Sequence, residues 1–141
     1  MSEILIDHVL LDRVTKAAKE SPRLRMNYNF HESLSSPSQR LLNALEPGTV
    51  LPIHRHRHTA ETYVLLRGRM RVLFYDDDKK EINRYELDPA EGTYGVNIPR
   101  GQWHTIEVLC AGTVIFEVKD GPYIPIAVSY THLRAHETKA N

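Results

Sequence analysis

Two histidines with one residue between them, His54 and His56, and a carboxylate a short way on, Glu61, are the side chains in this sequence best suited to hold a metal ion. In an extended strand alternate residues share a face, so His54 and His56 project together while Arg55 points away. Arg57 to Ala60 reads as a short polar turn, and Thr62 to Leu66 is a β-branched and apolar run that reads as the next strand. Antiparallel pairing of the two strands would return Glu61 to the imidazoles. Two imidazoles and one carboxylate leave coordination positions open on a transition metal. The competing reading is a histidine-rich surface loop; the ordered place of Glu61 and the glycines on either side, Gly48 and Gly68, favour the metal. His58 sits in the turn before Glu61, which makes it a surface or supporting residue and not a ligand.

The order Gly48, five residues, His54-x-His56, four residues, Glu61, six residues, Gly68 resembles the first motif of the cupin superfamily. Pro99, Arg100, Gly101, Gln102, Trp103 and His104 resemble the Pro-x-Gly-x-x-His core of its second motif. The resemblance implies His104 as a fourth ligand. The second motif departs from the family at Thr93, where a glycine is expected and Gly92 stands just before, and at Val108, where an asparagine is expected; neither is a ligand position in the family. Beyond these motifs, SPRLRMNYNFHES, QRLLNALEPGT, LFYDDD and FEVKDGPY resemble segments of the WbuC-like cupin metalloproteins, a small bacterial family named from an association with O-antigen polysaccharide gene clusters. That resemblance implies a metal-binding cupin, dimeric, with no particular substrate.

The elements that must position these residues follow from hydrophobic period. Val9, Leu10, Val14, Ala17 and Ala18 repeat with helical spacing, Asp7 stands where a cap is needed and Ser21-Pro22 ends the run, so a helix is expected over residues 8–20. From Leu24 the period changes to two: Leu24, Met26, Tyr28 and Phe30 alternate with Arg25, Asn27, Asn29 and His31. Arg25, Asn27, Asn29 and His31 are therefore candidates to line a ligand site, with His31 the proton carrier among them near neutral pH. Tyr63, two residues after Glu61, is expected to share its inward face, and Val64 and Leu66 to point outward. Those two call for cover from the helix or from a second subunit of a homodimer. Runs at 39–45, 69–75, 82–87, 95–99, 103–109 and 113–119 complete about nine short strands. The expected fold class is all-β, the double-stranded β-helix of the cupins, a jelly-roll-like barrel with one N-terminal α-helix. One domain is expected over residues 1–126, with the barrel over 23–119. Residues 127–141 stand apart: VSYTHLRAHETKAN, residues 128–141, is unlike the family and is similar to translated sequencing-adapter read-through, so its His132 and His136 are not counted as ligands.

Composition limits the function. Lys+Arg and Asp+Glu both number 18, so no net field draws nucleic acid or an anionic membrane. No stretch has the form of a secretory signal or membrane span, and a cytoplasmic location is expected. Cys110 is the single cysteine, which excludes an internal disulfide and a thiolate zinc knuckle; its apolar surroundings read as a buried, inert thiol. Nitrogen and oxygen ligands suit one divalent transition metal ion: iron, manganese, nickel, cobalt or zinc. The partner expected is a small oxygen-rich molecule, a sugar or organic acid. Two uses of such a site are open, an enzyme of Lewis-acid isomerase or lyase type or a dioxygenase, and a noncatalytic binding or sensing module.

Overall fold

The computed structural model describes residues 2–129. The helix α1 spans His8–Glu20, and Asp7 caps it by accepting the Leu10 amide at 3.0 Å. Strands follow at β1 Arg25–Asn29, β2 Ser38–Leu45, β3 Ile53–Arg55, β4 Glu61–Arg67, β5 Met70–Tyr75, β6 Glu81–Leu87, β7 Gly95–Ile98, β8 Trp103–Val108, β9 Thr113–Asp120 and β10 Ala127–Ser129. They form two antiparallel five-stranded sheets, β1-β2-β9-β4-β7 and β10-β3-β8-β5-β6.

Alternation along each strand decides what faces what. Leu45, Tyr63, Leu65 and Ile115 of the first sheet meet Met70, Val72, Phe74 and Ile106 of the second in the main core, so the sheets lie face to face. On the other side of the first sheet, Leu42, Ala44 and Val114 take Leu10, Leu11, Val14 and Ala18 of α1. Since Tyr28, Phe30 and Phe116 also pack there, their strand neighbours Arg25, Asn27 and Glu117 are turned to the inside. The two sheets share no strand, so the expected jelly roll is an open sandwich rather than a closed barrel.

Three expectations need amendment. The histidine strand β3 and the glutamate strand β4 do not pair: β3 lies between β8 and β10, whereas β4 lies between β9 and β7. The turn at 57–60 therefore crosses from one sheet to the other. Val64 and Leu66 do point outward, each 38% exposed, so the helix, which meets β4 at Arg67 through Asp12 at 2.8 Å and Thr15 at 3.0 Å, covers them only in part. Cys110 is half-buried in the turn between β8 and β9, since the apolar run ends before it. The strand β10 extends the pairing past residue 126, with Val128 opposite His54. His132 and His136 lie outside the described residues.

The motif glycines have local reasons. Gly68 links β4 to β5 at a φ of +95°, and a side-chain carbon there would stand 2.6 Å from the Thr113 Cα. Near the second motif, where a glycine is expected at residue 93, the left-handed position is taken by Gly92, at a φ of +83°.

Candidate metal centre

His54 on β3 and His104 on β8 stand directly opposite in register, with ring centroids 4.3 Å apart. His56 follows the end of β3, its ring 5.4 Å from that of His54. Glu61 opens β4 and reaches these rings from the facing sheet. Its Oε1 lies 2.8 Å from His104 Nε2 and its Oε2 3.4 Å from His56 Nε2. One ligand atom from each of His54, His56, Glu61 and His104 lies within 4.8 Å of all the others. The four side chains thus converge although Glu61 arrives by a different route from the one its spacing predicts.

The surrounding hydrogen bonds aim the donors. His54 Nδ1 is 2.9 Å from the Pro52 carbonyl and His104 Nδ1 is 2.9 Å from the Gln102 carbonyl. A carbonyl only accepts, so each Nδ1 carries a proton and each ring turns its Nε2 to the centre. His104 Nε2 there meets a carboxylate oxygen. A lone pair facing a carboxylate at that distance requires positive charge between or upon them, which a divalent cation or an added proton supplies. The donor set and its orientation fit a metal ion.

Electrostatics agree. Burial pushes the His54 pKa from 6.5 down to about 3, and His104 beside it adds to the effect, so the ring stays neutral and able to ligate. Burial alone would raise Glu61, but the His104 and His56 rings against its two oxygens hold it well below the usual carboxylate range. Tyr63 donates to Glu61 Oε1 at 2.8 Å, and burial together with the Glu61 and Glu117 charges pushes its phenol well above its ordinary value.

A cavity of about 380 Å³ opens onto the cluster. Arg25, Asn27 and Tyr63 line it, as their strand faces predict. Asn29 and His31 do not. β1 ends at Asn29, and His31 folds back so that its Nδ1 lies 3.1 Å from the Arg40 amide nitrogen, which donates to it. His58 lines an adjoining pocket of about 180 Å³. Sequence reasoning passed over Asn43, Glu117 and Lys119, which also line the main cavity. Glu117 is buried, accepts from Asn43 Nδ2 at 2.9 Å, and is raised above the usual carboxylate range by burial and by the Glu61 charge. The signal was there: in the run Val114 to Lys119, Glu117 falls on the same face as core Ile115, an acidic residue where an apolar one belongs.

Comparison with known proteins places this geometry. The capsular polysaccharide assembling protein CapF from Staphylococcus aureus is similar at TM-score 0.62 and 23% identity, over 74% of this chain and 30% of that one. A CapF structure with the inhibitor 3-isopropenyl-tropolone is similar at TM-score 0.59 and 23% identity, over 70% of this chain and 28% of that one. Lactobacillus farciminis oxalate decarboxylase in complex with formate is similar at TM-score 0.60 and 13% identity, over 82% and 34%. The chain spans about a third of the length of these proteins, and at such identities the likeness establishes the cupin fold. A search of curated proteins by sequence found no match. The family model described as "Domain of unknown function (DUF6016)" matches residues 6–87, a segment that holds His54, His56 and Glu61 but ends before His104. With that match over more than half of its length, this cupin-fold chain belongs to the DUF6016 family.

Proposed function

We propose that the protein is a metal-dependent cupin that takes a small oxygen-rich molecule, a sugar or an organic acid, into the cavity between its sheets. The observation that carries the reading is the four-donor cluster at the wall of a cavity that also presents Arg25, Asn27 and Lys119. His54, His56, Glu61 and His104 would hold one divalent transition ion, which in such a site supplies Lewis acidity or redox chemistry toward bound oxygen groups. The remaining work belongs to the protein. Arg25 is tied by its Nη1 to the Val50 carbonyl at 3.0 Å, so its guanidinium is held in place to orient an anionic group. Tyr63 holds the Glu61 carboxylate through its hydroxyl. A role in polysaccharide metabolism is supported by the resemblance to WbuC-like proteins and by the likeness to a capsular polysaccharide assembling protein, and the tropolone and formate bound to the neighbours are small oxygen-bearing molecules. The first is a resemblance of sequence and the others are analogies of fold.

A noncatalytic binding module is the second reading, and one observation favours it: His31, the expected proton carrier, is engaged with the Arg40 backbone and is absent from the cavity wall. Elemental analysis of the full chain, purified without a histidine tag beside a His54→Ala/His104→Ala variant, tests the shared premise. About one ion per chain, lost in the variant, is expected. Equal metal in the two proteins, or none in either after reconstitution, would overturn it. Turnover that vanishes in Glu61→Ala would then separate an enzyme from a binding module.

A further inference from the structure

The inner wall of the first sheet carries a polar pair that the metal cluster does not use. Asn43, on β2, is 9% exposed and gives its Nδ2 to Glu117 Oε1, while its Oδ1 is buried with no partner. Among the described residues the second oxygen of Glu117 takes no hydrogen bond either. Both residues line the cavity. A buried acceptor left without a donor is costly, and a ligand hydroxyl is a group that can remove that cost. A hydroxyl can donate to Asn43 Oδ1, and can donate to an ionised Glu117 or accept from a protonated one. Arg23, Arg25 and Lys119 line the same cavity, so a ligand there also meets positive charge.

We infer that Asn43 and Glu117 read the hydroxyl groups of a polyhydroxy acid whose carboxylate is held by the cations of the cavity and by the metal centre. This rests on the functional reading above and narrows it: an acid with hydroxyls along its chain is selected over one without. Ordinary metal affinity does not produce that selection, since an α-hydroxy acid of either kind presents the same two oxygens to an ion.

The test is calorimetric titration of the metal-loaded full chain with gluconate and with α-hydroxyhexanoate, acids of equal length that differ only in the outer hydroxyls. Gluconate is expected to bind about tenfold more tightly. In Asn43→Leu the preference is expected to disappear while metal content stays unchanged. Asn43→Ser, which withdraws the amide oxygen but leaves a polar group beside Glu117, serves if the leucine variant does not fold. Equal affinity of the wild-type protein for the two acids, or a preference that survives substitution of Asn43, overturns the assignment and leaves the wider reading intact. If neither acid binds to the loaded protein, the inference and the reading on which it rests both fall.

Discussion

At the scale of single residues, the centre makes the protein sensitive to acid in a calculable direction. His54 is held at about 3 against 6.5 in the open chain. Between those values the unfolded chain takes up a proton that the folded ring refuses, so stability falls as pH drops through that window. Glu61 acts in the same sense: its depressed folded pKa gives stability present above 4.5 and lost as pH falls through the lower value. Chelator-treated protein is therefore expected to lose midpoint temperature steadily on acidification, beginning below about pH 6.5, with a shallower early fall in His54→Asn. A midpoint that rises toward acid would contradict the placement of His54 as a buried neutral ring. The ligands were legible because their spacing is local to one strand, one turn and one short motif. The pairing of Asn43 with Glu117 was not, because 74 positions separate them and only the pairing of β2 with β9 joins them.

Elements carry a second lesson, which is that glycine is fixed by backbone approach and helix ends by capping. Gly68→Ala would need a positive φ from an L-residue and would press a carbon on Thr113. A loss of more than about 2 kcal/mol is expected in denaturant unfolding. Asp7→Ala removes only the cap of α1, and about 1 kcal/mol is expected there. A reversal of that order would show that the β4–β5 turn relaxes more readily than the helix start frays. The strands themselves were readable from alternation, within about two residues at most ends. What alternation could not give was partnership. The stretch from His54 to Leu66 has the pattern of two hairpin strands, yet each buries a different face against a different sheet, and only the closing of the sandwich brings Glu61 back to His54.

For the whole molecule, the described strands complete the site without the last twelve positions of the sequence, 130–141. We expect a chain ended after Ser129 to keep the same metal stoichiometry as the full one by elemental analysis. It should also keep the same sedimentation, that of a homodimer using the outward face of Val64 and Leu66, each 38% exposed. Loss of metal on truncation, or a monomer in both forms, would count against these two proposals respectively. Among the described residues, no helix is long and apolar enough to cross a membrane.

Trp103 is the only tryptophan in the chain, next to His104, and the Arg55 guanidinium and Lys79 ammonium lie 4.5 and 4.1 Å from its ring centre. Arg55, in turn, stands between His54 and His56. Indole emission responds strongly to adjacent charge and to small shifts of ring position, and here it is wired on both sides to residues of the centre. Cobalt or nickel titrated into the protein should quench that emission in step with binding, and His104→Ala should leave it unchanged. With that outcome the chain would contain its own optical gauge of how full its centre is, with no dye or label to add.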